Sequence, residues 1–246
     1  MTLLRTKGLS RHFDGLKAVD GVDFALDPGE IRAIIGPNGA GKSTFVSLLS
    51  GRIKPSAGQV FFEDRDVTGM PAHKRVRMGI AYTFQITNIY GAMTVLENIA
   101  IAAQNRLRPH LFSRKPVSEV QIARAATKAA QEVGLGDLLY ETAGTLAYGH
   151  QRLLEVAMGL ALQPKLLILD EPTQGLSDSE IGNFQEVVRR VAQSATVLLI
   201  EHNMDVVMAL ADRITVLETG RVLAEGSPGE IVRNDAVQAA YLGAPA

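Results

Sequence analysis

Three glycines, a lysine and two hydroxyl side chains are packed into Gly36-Pro37-Asn38-Gly39-Ala40-Gly41-Lys42-Ser43-Thr44, a run that fits the pattern G-x-x-x-x-G-K-[ST]. These residue types suit one kind of chemistry. Glycines let the backbone curl until successive N–H groups converge on an anion. A helix opening near Gly41 aims the positive end of its dipole at the same place. Lys42 can then reach the β- and γ-phosphates of a nucleoside triphosphate, and the Ser43 hydroxyl can ligate Mg²⁺. A second candidate group lies far downstream, where the apolar run Leu166-Leu167-Ile168-Leu169 ends in Asp170-Glu171. Two carboxylates after a strand are by themselves an ordinary solvated turn. Paired with a phosphate loop they complete a phosphoryl-transfer site, Asp170 holding Mg²⁺ through water and Glu171 orienting or deprotonating the attacking water.

The elements that must position these groups are those of an α/β fold. Short apolar runs alternate with helical patterns, which predicts a mostly parallel sheet flanked by helices. Glu30–Gly36 reads as a strand running straight into the glycine-rich turn, followed by a helix over Ser43–Ser50. Leu166–Asp170 and Thr196–Glu201 are near-continuous apolar runs, as expected of strands buried on both faces. Between them, apolar residues at Ile181, Phe184, Val187, Val188 and Val191 repeat with helical spacing over Ser179–Gln193. The first 30 residues and Gly58–Glu63 form short alternating segments suited to an antiparallel layer. Ile214–Glu218 and Arg221–Ala224 flank Thr219-Gly220 as a hairpin, and two short helices follow around Gly229–Arg233 and Ala236–Leu242. From about residue 86 to 158 the strand signals stop. Thr94–Glu97 and Ser118–Gln121 carry the capping-box pattern, and the basic, proline-containing Arg106–Lys115 reads as an exposed connection between their helices. The expectation is one domain over residues 1–246: a nucleotide-binding core with an antiparallel layer (1–85 and 159–246) and an inserted helical subdomain (86–158).

Composition narrows the class. With 25 basic against 26 acidic side chains and a formal net charge of -1, electrostatics gives no reason to expect nucleic acid as a partner. The absence of cysteine rules out a disulfide framework, a thiol nucleophile and Cys-ligated metal. The N-terminal residues show no signal-peptide pattern, and no stretch approaches the ~18 uninterrupted apolar residues of a membrane-spanning helix. Any membrane role is expected to come through a partner.

With these motifs in place the chain resembles an ATP-binding cassette (ABC) ATPase, a P-loop NTPase with a RecA-like core, over nearly its whole length. Leu146-Ala147-Tyr148-Gly149-His150-Gln151-Arg152 stands where that family carries its signature motif. The resemblance implies that two cassettes pack head to tail, so that Ala147, Tyr148 and Gly149 of one cap the nucleotide cradled by Asn38, Gly39, Ala40, Gly41, Lys42, Ser43 and Thr44 of the other. Ala147 replaces the family's usual serine, and His150 its usual glutamine or glutamate. Gln85, after the strand Ile80–Phe84, resembles the glutamine that senses Mg²⁺ and the catalytic water. His202 resembles the histidine that contacts the γ-phosphate, and Phe13 the aromatic that stacks on adenine. Gln174–Ser177 occupies the D-loop position, with Ser177 where aspartate is frequent. The resemblance thus implies ATP and Mg²⁺ as ligands and an ATPase subunit of an importer on the cytoplasmic membrane face. Its partners would be transmembrane permease subunits, a second ATP-binding subunit and, indirectly, a solute-binding protein. The LAYG signature and the Val237–Gly243 tail are similar to importers of branched-chain amino acids, and the signature also to related importers of amides and urea, so the resemblance implies branched-chain amino acids or related small polar solutes as cargo. Two other readings compete: a soluble ABC-type ATPase acting on nucleic acid, and a non-hydrolysing regulatory module. The single phosphate loop and the lack of basic surplus speak against the first, and the presence of both Lys42 and Glu171 against the second.

Overall fold

The computed structural model describes residues 2–83, 88–107 and 118–242. In chain order the elements begin with strands β1 (Leu4–Phe13), β2 (Leu16–Leu26) and β3 (Ile31–Ile35), helix α1 (Lys42–Ser50), β4 (Ala57–Phe62), β5 (Arg65–Asp66), α2 (Ala72–Met78) and β6 (Ile80–Thr83). Helices α3 (Val95–Leu107), α4 (Glu119–Glu132) and α5 (Tyr148–Ala161) follow, then β7 (Leu166–Asp170), α6 (Asp178–Val191), β8 (Thr196–Ile200) and α7 (Met204–Leu210). The chain closes with β9 (Arg213–Glu218), β10 (Arg221–Gly226), α8 (Pro228–Val232) and α9 (Asp235–Leu242). By contact the chain divides into two compact units, Met1–Arg75 with Thr196–Ala246, and Val76–Ala195.

In the first unit, β2-β1-β4-β5 form an antiparallel sheet. Its two long strands exceed the short segments expected from sequence. Gly8 and Gly21 sit at positive φ and the β1–β2 register shifts between Thr6 and Leu9, so bulges let one strand bend and continue where alternation breaks. The same unit holds the strand series β10-β9-β3-β8, in which β3 runs parallel to both β8 and β9. All five residues of β3 and of β8 are buried, which is why both read as unbroken apolar runs. The hairpin closes on Thr219 and Gly220, both at positive φ, as a two-residue hairpin turn matched to strand twist requires. Phe45 of α1 meets Phe24 of β2 edge to face, with centroids 5.4 Å apart, fixing the helix behind the loop onto the antiparallel layer.

In the second unit β6 and β7 pair in parallel, with Tyr82 level with Ile168, and α3, α4 and α5 pack on one another. The two capping boxes read from sequence are formed. Thr94 and Glu97 exchange bonds at the start of α3, and Ser118 and Gln121 do so at α4. No helix among the described residues is long and apolar enough to cross a membrane.

Candidate functional site

Residues Gly36–Gly41 form the turn between β3 and α1, and two glycines are demanded by their surroundings. Gly36 has φ 152° and Gly41 φ 97°. A methyl group on Gly36 would run into the Leu217 carbonyl, and one on Gly41 into that of Ala18. The loop is thus wedged against the backbones of β9 and β2, with no space for a side chain at either end. It is pinned further by Gly220 N–H donating to the Ala40 carbonyl (3.0 Å) and by Ala40 N–H donating to Pro37 (3.2 Å). Gly41 caps the N-terminus of α1 in the left-handed conformation, leaving first-turn amides directed along the helix dipole. The buried Lys42 ammonium donates to the carbonyls of Gly36 (2.7 Å) and Pro37 (3.1 Å). Asn38, Gly39, Ser43 and Thr44 complete the same loop and helix start.

His202 belongs to this unit as well. Parallel pairing sets Ile34 opposite Ile200, so the residues after β8 lie level with those that open the loop. Fully buried Glu201 accepts the N–H groups of His202 (3.1 Å) and Asn203 (3.3 Å), and Asn203 in turn caps α7. This network holds the His202 backbone and leaves its side chain exposed. Phe13 ends β1 with its ring 40% exposed and the Arg11 guanidinium 4.5 Å from its centroid.

The carboxylates and the signature motif lie in the second unit. Asp170 ends β7 and is buried, and the Tyr82 hydroxyl donates to its Oδ2. Glu171 follows at φ 45°, a left-handed conformation that few side chains adopt without the surrounding turn enforcing it. Its carbonyl accepts Gln174 N–H at 3.2 Å. The signature opens α5 as its sequence implied: Ala147 is the N-cap, with no side-chain capping bond. Tyr148 is exposed and Gly149 buried.

Three contacts here lie beyond what the sequence announces: Tyr82 on Asp170, Glu180 against Gly149, and Tyr148 over Gly175. One Glu180 oxygen caps α6 by accepting Ser177 N–H (2.8 Å) and Oγ–H (2.7 Å), and the other lies against Gly149 of the signature, where a β-carbon would collide with it. The two Ser177 bonds, that of the N–H foremost, hold the Glu180 carboxyl below its ordinary range. The Tyr148 ring lies over Gly175, 3.2 Å from where a β-carbon would stand. The signature and the D-loop segment are therefore bound into one structure, and Ser177 serves as the cap of α6. The Ser-x-x-Glu spacing at 177–180 was a usable signal for that cap. Gln85 and Phe84 lie outside the described residues.

Residues 19–174 match the ABC transporter family, and the phosphate loop, the strand ending at Asp170 and the signature all fall within that span. The chain belongs to that family. Residues 221–246 of the cassette also match a branched-chain amino acid ATP-binding cassette transporter model. The cassette is 41% identical over 251 residues to the high-affinity branched-chain amino acid transport ATP-binding protein LivG of Escherichia coli (strain K12), covering 98% of each chain. It is 36% identical to the corresponding protein BraF of Pseudomonas aeruginosa, again over 98% of each. A solved ATP-binding cassette of an ABC transporter superposes with a TM-score of 0.88 at 31% identity, covering 99% of this chain and 100% of that one. A dimeric bacterial cassette at 21% identity, TM-score 0.79, shares the fold.

Proposed function

We propose that this ABC ATPase hydrolyses Mg-ATP at the cytoplasmic membrane face to power an importer of branched-chain amino acids, working as one of two cassettes beneath transmembrane permease subunits. The observation that carries the ATP-binding part is the preformed loop. Its amides are already curled, and Lys42 is held on the carbonyls of Gly36 and Pro37, a position from which it can swing to a triphosphate. The cargo rests on full-length similarity to LivG and BraF. Charge balance argues against nucleic acid.

In this reading the loop amides from Asn38 to Thr44 bind the phosphate oxygens, and Phe13 offers its exposed ring to adenine. The Ser43 hydroxyl and the Asp170 carboxylate are hard oxygen donors, the set that suits Mg²⁺, which retains waters and takes few protein ligands beside phosphate. When bound there, the ion would supply neutralisation of phosphate charge. Tyr82 fixes the orientation of Asp170 through its hydroxyl. Lys42 and His202 stabilise charge on the γ-phosphoryl group, Glu171 orients the attacking water and accepts its proton, and Gln85 senses both. Ala147, Tyr148 and Gly149 of a second cassette close over the nucleotide, and the helix dipole and Gly149 amide stand in for the missing serine hydroxyl.

The test is Glu171→Gln. The variant should bind ATP as the parent does, lose at least about a hundredfold in turnover as expected for removal of a general base, and accumulate as an ATP-bound dimer on size exclusion. Phosphate release near the parent rate would remove Glu171 from this role.

A further inference from the structure

The second turn of α5 carries an ion pair in an otherwise apolar setting. Arg152 and Glu155 are 3% and 7% exposed and stand beside the buried Leu153, Leu154, Val156 and Ala157 of the same helix. Arg152 Nη1 donates to Glu155 Oε2 at 2.9 Å, and Glu155 Oε1 accepts Asn88 N–H at 2.7 Å. The same guanidinium lies 5.4 Å from the centroid of the Tyr148 ring, within the range of cation–π attraction. Tyr148 in turn covers Gly175. One line of contacts thus runs from Asn88 through Glu155, Arg152 and Tyr148 to the Gly175 turn. Its Asn88 end is held as well. Two residues on, the fully buried Asn98 of α3 accepts Tyr90 N–H at 2.8 Å and donates to the Tyr90 carbonyl at 3.1 Å.

Packing alone does not call for these charges. Taking two ions out of water is costly, and an apolar pair of similar volume is as stable or more so in such a place. Burial pushes the Glu155 carboxyl above its ordinary value against the bonds from Asn88 and Arg152, a sign that desolvation is not fully offset. What the charges add is direction. A carboxylate with each oxygen committed to a different partner has one orientation, and the planar guanidinium bound to it has one as well. The Tyr148 ring that meets this guanidinium belongs to the signature.

We propose that Arg152 and Glu155 are positioning residues for the signature, holding the Tyr148 ring and the Gly175 turn in the form that closes on the nucleotide of a second cassette. The inference rests on the reading of residues 146–149 as the cap over a partner's ATP. A signature without the pair samples other settings that closure must reorder, so ATP-driven dimerisation weakens. Nucleotide binding by the single cassette uses the phosphate loop and not the signature, and is unchanged.

The experiment uses the full chain in the Glu171→Gln background, and adds either Glu155→Gln or Arg152→Met together with Glu155→Leu. Dimerisation against ATP concentration is followed by analytical ultracentrifugation, Mg-ADP binding by calorimetry, and exchange of the Gly175 amide by NMR. Glu155→Gln keeps an oxygen for Asn88 N–H but leaves Arg152 buried without its counter-charge, so its melting midpoint should fall. The double variant removes both ions, and its midpoint should match or exceed that of the parent. In both, half-maximal dimerisation should need about 2- to 30-fold more ATP, the range over which residues outside a site modulate coupling. Mg-ADP affinity should stay at the parent value, and the Gly175 amide should exchange faster. A double variant that dimerises at the parent ATP concentration overturns the proposal, and so does one whose loss of dimer is matched by an equal loss of Mg-ADP affinity. If Glu171→Gln alone forms no ATP-bound dimer, the cap reading has failed and the proposal with it; if it forms one that is indifferent to the pair, only the role of Arg152 and Glu155 has failed.

Discussion

Gly41 shows how much one residue type decides. It has to turn the chain at φ 97°, cap α1, and leave space for the Ala18 carbonyl. Gly41→Ala meets both the left-handed penalty and a backbone collision, and should cost about 1–3 kcal/mol of stability. The added methyl should also displace the first-turn amides, so Mg-ADP affinity should drop at least about tenfold if those amides supply two or more bonds to phosphate. Urea denaturation and calorimetric titration of the same protein separate the two effects. An alanine variant with parent-like affinity would mean that the amide cradle tolerates displacement. Asp170 and Tyr82 make a complementary point. Strand alternation puts Asp170 on the face of Ile168, and parallel pairing sets Tyr82 opposite Ile168. Their hydroxyl–carboxylate bond follows from that register.

At the scale of elements, α1 is controlled from both ends. Its N-terminus opens on the phosphate loop, and its C-terminus is closed by Arg75 of α2. The fully buried Arg75 guanidinium donates to the last-turn carbonyls of Leu48 and Leu49 at 2.7 Å each. It donates also to Met70 (3.0 Å) and Thr68 (3.1 Å). Burial lowers its pKa to about 10, so it stays charged at neutral pH and complements the negative end of the helix dipole. Arg75→Leu leaves those carbonyls buried without their donor and should destabilise the chain by about 3 kcal/mol, read as a fall in the urea midpoint with unchanged slope. A variant as stable as the parent would show that water replaces the guanidinium. Glu180 caps α6 through Ser177 and at the same time packs its carboxylate against Gly149 of α5.

Over the whole molecule, the same kind of carboxylate recurs at three helix starts. Glu97, Glu180 and Glu230 are each held below the ordinary value of 4.5, chiefly by the backbone N–H of their capping partner. A carboxyl with a depressed folded pKa contributes stability that is complete above its ordinary value and disappears as pH falls through the depressed one. Glu155 opposes this. Burial raises it, against bonds from Asn88 N–H and Arg152, so its contribution is full below its ordinary value and is lost as pH rises through the raised one. Asp20 and Asp66 are held low as well, by hydrogen bonds from Arg221 and Thr68 foremost, and five groups against one predict lower urea midpoints at pH 3.5 than at pH 6, with amide exchange at the starts of α3, α6 and α8 accelerating first. Glu180→Gln should flatten part of that slope. A midpoint independent of pH across this window would show that the caps carry no net charge dependence.

The sequence by itself determined the chemistry of single segments. The phosphate loop, the acidic strand end, the two predicted capping boxes and the Thr219-Gly220 turn are legible because each depends on residues within a few positions, whose φ preferences, hydrogen-bonding reach and periodicity are local. Buried strands such as β3 and β7 are legible for a similar reason, since burial on both faces leaves an unbroken apolar run. The tertiary structure alone decided which distant segments meet. Tyr82 on Asp170, Glu180 against Gly149 and Arg75 on α1 all depend on strand register and helix docking. Those are fixed by the summed burial of many weakly informative side chains, and no one of those residues announces its partner.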